Sequence, residues 1–324
     1  MKHTLRTLAV AAAAVLALSG CTDSDAGGSA APSDGGGELT PITVGLMPVA
    51  DTAALYLGES LGYFEDAGLD LTIETATGGA AIAPAVVAGD YQFGFSNMLS
   101  LMVANEKGLG LKSVSAAVAT TGDTSADMGA VIVTADSPIQ SPADLAGKKI
   151  SSNTVGNINE VVTRAAIDAA GGDGSTAEFV EVAFPDTIAA VENGQVDAGF
   201  VVEPFVTAAL EAGDRVVSYA YAEFDDSLDI ASYFTTAAYA DENPEIVEAF
   251  QQAMAKSLKA AQDDSDAVRD IIGTYTKTDA EVLAKMVLPK YPSEIDRDAA
   301  AKLGDDAVKY GALTAAPDLD ALLP

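Results

Sequence analysis

Short runs of β-forming residues alternate with stretches of helical periodicity from Leu39 to about residue 240, and this alternation constrains the fold more than any other feature of the chain. Strands are predicted at Ile42–Met47, Leu69–Glu74, Phe93–Phe95 and Lys112–Ala119, separated by helices at Thr52–Leu61, Ala80–Ala88 and Met98–Glu106. A second series follows, with strands at Ala130–Thr134, Lys149–Ser152, Glu178–Val182, Ala198–Val202 and Arg215–Tyr219 and helices at Asn159–Ala170, Thr187–Asn193 and Pro204–Glu211. Such alternation builds βαβ units around a largely parallel sheet. After one more extended segment, Ser232–Tyr239, only helices remain, at Pro244–Gln262, Asp266–Tyr275, Asp279–Val287 and Asp296–Tyr310. A run of helices with no strand of its own has to pack on a sheet already built.

The N-terminus bears on the compartment. Lys2 and Arg6 precede an eleven-residue apolar stretch, Leu8–Leu18. That is too short to span a bilayer, which takes roughly 20 residues, and it suits the core of a secretory signal. Leu18-Ser19-Gly20-Cys21 resembles the bacterial lipobox, which implies cleavage before Cys21 and acylation of its thiol. Cys21 is the only cysteine, so no intrachain disulfide is possible. It is followed by a Gly/Ser/Asp/Ala/Pro-rich stretch, Thr22–Glu38, of the composition of a flexible tether. An ordinary cleaved signal beside an unused cysteine is the alternative. The expected organisation is a signal at 1–20 and a tether at 21–38. The expected location is the extracytoplasmic face of the cell membrane, held by lipid alone.

Composition limits the partners. The 324 residues suffice for two domains, and 49% hydrophobic residues supply a sizeable core. Seventeen basic against 48 acidic residues give −31. Removal of Lys2 and Arg6 with the signal leaves 15 against 48, or −33. There is no basic footprint for nucleic acid, and an anionic lipid surface repels such a chain.

An internal echo suggests two similar halves. Gly89-Asp90-Tyr91-Gln92-Phe93-Gly94-Phe95 resembles Gly194-Gln195-Val196-Asp197-Ala198-Gly199-Phe200, each following a predicted helix and opening a predicted strand.

Three landmarks in this order resemble one family. The first is Val44-Gly45-Leu46, Ala54-Leu55-Tyr56-Leu57-Gly58, Leu61-Gly62-Tyr63-Phe64 and Gly68-Leu69. The second is Ser137-Pro138-Ile139 with Asp144-Leu145-Ala146-Gly147-Lys148-Lys149-Ile150. The third is Asn193-Gly194-Gln195-Val196-Asp197-Ala198 running into Val202-Glu203-Pro204-Phe205. From Ile42 to Gln262 the chain resembles solute-binding proteins of ABC importers for nitrate, alkanesulfonates and taurine, with their thiamine-pyrimidine-binding relatives. The resemblance implies an α/β, two-lobed periplasmic-binding-protein-like fold of type II, with a ligand cleft between the lobes. Lobe one is expected at 39–128 plus 225–324 and lobe two at 129–224, with crossovers near Asp127–Gly129 and Glu223–Ile230. The implied partners are a small-molecule ligand and ABC permease and ATPase subunits, the protein itself being a monomer without a cofactor. A binding protein for a heterocyclic vitamin precursor and a lipid-anchored sensor are the other readings.

In open α/β sheets ligands meet the loops beyond the carboxyl ends of strands. These loops give Asp51, Thr52, Gly78, Gly79, Ser96, Asn97 and Thr121 in lobe one, and Asn153, Thr154, Asn157, Glu203 and Phe205 in lobe two, as candidate ligand contacts. Helix starts there present free N–H groups, although Ser96, Asn97, Asn153 and Asn157 are equally placed to act as N-caps. Gly78-Gly79 either admits a close ligand or makes a turn. Asp51 and Glu203, at the ends of predicted buried strands, are the candidates to accept from a ligand amine or ring N–H. None of these loops contains Lys or Arg. A bare oxyanion would therefore meet carboxylates in a closing cleft at electrostatic cost, so an amine or heterocyclic N–H is expected in the ligand.

Catalysis is not expected. The only histidine, His3, leaves with the signal, which excludes His-based triads and His/Cys metal sites in the mature chain. No P-loop or G-x-G-x-x-G pattern is present. The absence of Trp argues against a sugar-stacking cleft of a two-carboxylate glycosidase.

Overall fold

A computed structural model describes residues 38–324. The expected signal, the acylated Cys21 and nearly all of the tether lie outside the described residues. Ten strands, β1 to β10, run Thr40–Leu46, Leu69–Thr75, Phe93–Asn97, Leu111–Ala119, Gly129–Val133, Lys149–Ser152, Glu178–Glu181, Ala198–Val202, Arg215–Ser218 and Asp229–Thr236. They form two five-stranded sheets, ordered β2-β1-β3-β10-β4 and β7-β6-β8-β5-β9. The chain passes from the first sheet to the second between Ala119 and Gly129, and returns between Ser218 and Asp229. This is the two-lobed α/β arrangement. Among the described residues no helix is long and apolar enough to cross a membrane.

The largely parallel sheet expected from the alternation is present in mixed form, with four strands of each sheet running the same way and one reversed. β1 pairs parallel with β2 and β3, and β6 with β7 and β8. β10 runs antiparallel to β3 and β4, however, and β5 antiparallel to β8 and β9. The cause is the double crossing. β5 and β10 each arrive from the other sheet and so start at the seam between the halves, where β1, β3, β6 and β8 end. Local periodicity does not encode that reversal.

The echoing heptapeptides occupy equivalent places. Gly89 and Gly194 adopt left-handed φ of 83° and 66° after a helix, a conformation that suits glycine. Gln92 donates its N–H to Thr43 O and accepts from Thr43 N through its side chain, at 2.9 and 2.8 Å. Asp197 does the same to Lys149, at 2.8 Å both ways. Each motif thus locks its strand to the neighbouring parallel strand. Two residues further on, Gly94 and Gly199 let a helix lie directly on the sheet. A Cβ at Gly94 would come within 2.6 Å of Ile82 Cγ2, and one at Gly199 within 2.4 Å of Thr187 Cγ2.

The C-terminal helices complete the first half. Pro244–Asp263 crosses the helix Ala53–Ser60 so closely that a Cβ at Gly58 would fall 1.7 Å from Ser257 Oγ. Phe250 stacks on Phe93 at 4.0 Å between centroids, and Tyr275 stacks on Tyr56 at 3.9 Å. The same segment also reaches the second half. Helix Arg297–Lys309 packs against helix Ile158–Ala169, and Lys309 Nζ and Tyr310 OH both contact Asp168 Oδ2, at 2.8 and 2.7 Å.

Gly94→Ala and Gly199→Ala should each lower the unfolding free energy by about 1–3 kcal/mol in urea titrations, since overpacking a filled contact forces neighbours apart. Unchanged midpoints for both would mean that these helices do not rest on β3 and β8.

Candidate functional site

Because strand ends and crossover starts converge on the seam, a small chamber of about 20 Å³ forms there, walled by both halves. From the first half come Met47 and Asp51 beyond β1, Gly79 at the start of helix Gly79–Ala88, Phe95 and Asn97 of β3, and Ile230 and Ala231 of β10. The second half gives Asn153 beyond β6, Asn157, Ile158 and Asn159 at the start of helix Ile158–Ala169, Phe184, and Val202 of β8. Tyr221 enters from the short helix Ala220–Phe224 on the return crossover. A volume near that of one water is far below the several hundred Å³ of an organic ligand site, so admitting a ligand requires the halves to part.

Asp51 dominates the electrostatics. It is 4% exposed, and its Oδ1 has no hydrogen-bond partner. Burial pushes its carboxyl up to about 7; its own backbone N–H works the other way, and the charge of Asp127 adds to the rise. None of the residues lining the chamber is Lys, Arg or His. Asp127 is equally buried but fully satisfied, accepting from Thr120 Oγ1 at 2.6 Å, Thr121 N at 2.8 Å and Met128 N at 2.9 Å. One carboxylate therefore braces the outgoing crossover, and the other is left to face the chamber.

Opposite Asp51 stands an amide network. Asn157 Nδ2 and Asn159 Nδ2 both donate to Asn153 Oδ1 at 3.0 Å, and Tyr221 OH donates to Asn159 Oδ1. Burial raises the Tyr221 phenol well above its usual range, helped by the charges of Asp51 and Asp127, so it stays protonated. The capping alternative also holds, since Asn157 Oδ1 accepts from Asn159 N and Glu160 N and Asn97 Oδ1 accepts from Ser100 N. Asn97 and Asn157 therefore cap helices and line the chamber at once.

The remaining expected contacts lie elsewhere. Thr52 is buried and donates its hydroxyl to Met47 O and Val49 O, at 2.8 and 3.1 Å. Ser96 points away from the chamber because alternate residues of β3 face opposite sides, and it lies behind Gly79, whose Cβ would meet Ser96 Oγ at 2.1 Å. Gly78 faces the other half, where a Cβ would lie 3.2 Å from Thr154 Oγ1. Thr121 is held within the crossover, its hydroxyl donating to Ala126 O at 3.0 Å. Glu203 is wholly buried but not free. Its carboxylate accepts from Thr207 Oγ1 at 2.7 Å, Thr207 N at 3.1 Å and Val287 N at 3.0 Å, so it caps helix Phe205–Ala212 and ties the second half to the C-terminal segment. Phe205 lines neighbouring cavities instead.

Sequence reasoning missed Asn159, Tyr221, Phe184 and Phe95. Asn159 carried a signal, being a second amide at the start of a helix whose buried face is apolar apart from Asn159 and Thr163. Tyr221 carried none, because 62 residues separate it from Asn159.

Comparison with known proteins gives a consistent result. Residues 49–267 match the family described as "NMT1/THI5 like". A formylaminopyrimidine-binding protein of Halalkalibacterium halodurans is 24% identical over 244 residues, 73% of this chain and 70% of that one. Among solved structures, the periplasmic aliphatic sulphonate binding protein SsuA of Escherichia coli superposes with a TM-score of 0.70 at 17% identity, covering 87% of this chain and 96% of that one. The periplasmic nitrate-binding protein NrtA of Synechocystis gives 0.75 at 13%, covering 88% and 86%.

The pH dependence of stability follows from Asp51. Its folded value of about 7 exceeds the ordinary 3.8, so between these values the folded chain binds more protons than the unfolded one and stability falls as pH rises. Asp51→Asn should therefore match the parent near pH 4 and exceed it by roughly 5 °C in Tm at pH 8, as read by calorimetry. An equal Tm difference at both pH values would refute the assignment.

Proposed function

Since the chain belongs to the NMT1/THI5-like family, we propose that it is the extracytoplasmic solute-binding component of an ABC importer, a binding protein and not an enzyme, and that it captures a small organic molecule through an amine or heterocyclic N–H. The observation that carries the ligand class is the unpartnered Oδ1 of buried Asp51, in a chamber without a cationic side chain. A donor from the ligand satisfies that oxygen and draws the carboxyl into its ionised form. A charge-assisted hydrogen bond of this kind is roughly twice as strong as a neutral one, and exclusion of water on closure strengthens it further. The amides of Asn97, Asn153, Asn157 and Asn159 supply both donors and acceptors to the rest of a polar ring. An aminopyrimidine, with an exocyclic N–H₂ beside ring nitrogen acceptors, matches that set, and the formylaminopyrimidine-binding relative favours it. Bare oxyanions fit poorly, because closure would bring them against Asp51.

The capture cycle follows from the geometry. With the halves apart, a ligand reaches Asp51 and the loops beyond β1 and β3. Rotation about the crossovers 120–128 and 219–228 then brings up Asn153 and Asn159, beside Tyr221 on the return crossover. Such hinge closure is the repertoire of two-lobed binders, and the closed form is what an importer's permease would read.

Thermal-shift and calorimetric screening of aminopyrimidines, other amine-bearing heterocycles, amino-sulfonates and inorganic anions tests the reading. A ligand at 100 times its Kd should stabilise by about 2.7 kcal/mol, and Asp51→Ala should weaken it at least tenfold, loss of a buried charged partner costing about 2–5 kcal/mol. Tight binding of nitrate or sulfate with no binding of any amine or heterocycle would reject it.

Attachment through Cys21 belongs to the same proposal, supported by the Leu18-Ser19-Gly20-Cys21 sequence and the tether-like stretch after it. In a bacterial host, wild-type chain should take up labelled fatty acid and sediment with membranes, and Cys21→Ala should do neither. Equal labelling of both would exclude that anchor.

A further inference from the structure

The chamber at Asp51 is one end of a longer run of cavities. Met47 and Phe184 line both the chamber and a second cavity of about 120 Å³. Pro48, Pro185 and Phe205 line both that cavity and a groove of about 470 Å³. The groove continues along Pro204, Ala208 and Tyr275 to the exposed Lys277 and Asp279. Both halves build its walls, Pro48 and Tyr275 on one side and Pro185, Phe205 and Ala208 on the other. The rings of Phe184 and Phe205, 6.4 Å apart between centroids and inclined by 32°, form a continuous aromatic wall from the chamber outward.

Polarity is sorted along this run. The carboxylate and the four asparagines stand at the inner end. The middle cavity is lined by Met, Pro, Val, Ala and Phe side chains, with Thr77 the only polar one. Charged side chains return only at the outer end, with Lys277 and Asp279. A small polar ring seated at Asp51 would leave the apolar passage next to it unfilled. Because the passage lies between the halves, closure covers whatever occupies it from both sides.

Building on the proposed function, we infer that the ligand is a two-part molecule: an N–H-bearing polar head held at Asp51, and an apolar chain or ring extending from it along Met47, Phe184 and Phe205 towards Tyr275. The head sets recognition and the tail adds affinity in proportion to the apolar surface it buries. Each buried methylene should tighten binding about fourfold.

Three probes titrated calorimetrically into the full-length chain test this: 4-aminopyrimidine and its derivatives carrying n-butyl or benzyl on ring carbon 5. The tailed probes should bind at least tenfold tighter than the parent. Phe205→Ala should reduce that ratio to about threefold or less, Phe205→Leu should retain most of it, and Asp51→Asn should weaken all three probes while keeping the ratio. Tailed probes that bind while the parent stays below detection also support the inference. If the parent binds and the tailed probes bind no tighter, or if Phe205→Ala leaves the ratio unchanged, the tail assignment is overturned and the head-group reading stands. If none of the probes binds, nor any other N–H-bearing molecule of the wider screen, the head-group reading falls and the two-part ligand with it.

Discussion

Two strands enter their sheets from the seam instead of ending there, and the rest of the molecule follows from that constraint. β10 begins beside the carboxyl ends of β3 and β4, and β5 beside those of β8 and β9. Both linkers between the sheets are thereby held at one face of each half. All irregular backbone that the sheets direct there converges on a single surface, and each half keeps its own buried sheet. β5 and β8, beside one crossing, are buried at every position, while in the far edges β2 and β7 every position but Leu69 is at least partly exposed.

Three carboxylates near the seam show how burial and hydrogen bonding divide roles among like residues. Asp127 receives two backbone N–H groups and a hydroxyl and so braces the outgoing crossover. Glu203 is raised by burial but compensated by Val287 and Thr207, and it fastens a helix start to a distant loop. Asp51 has the burial without the compensation. A lone buried acceptor is costly in a folded chain, and a position that retains one is where a group from outside is best received. The overall charge of −31 has no part in this, because bulk water screens most of it.

Much of this was legible in the residues themselves. Predicted Met98–Glu106 and Ala198–Val202 coincide with the observed elements, because capping and strand-forming runs are local. Asp51, Gly79, Asn97, Asn153 and Asn157 line the chamber, since loops beyond strand ends could be located from the alternation alone. The reversal of β5 and β10 is not encoded locally, as direction depends on where a crossover delivers the chain. Glu203 looked like Asp51 in sequence because the Val287 N–H that satisfies it lies 84 residues away. Ser96 stands one step of strand alternation from Phe95 and Asn97, which line the chamber.

Gly78 has a bearing on energetics as well as shape. The nearest atom to its absent side chain belongs to Thr154, across the seam, so this bare stretch of backbone is a contact the halves make only when shut. A methyl group there would press on the Thr154 hydroxyl, 3.2 Å away, which would have to turn or shift by a few tenths of an ångström for the halves to shut. The same methyl would also lie 3.7 Å from Asn153 Nδ2, so the balance between gaping and shut forms and the packing of one chamber asparagine are coupled at this glycine, and any loss of molecules able to shut would lower apparent affinity by the same fraction.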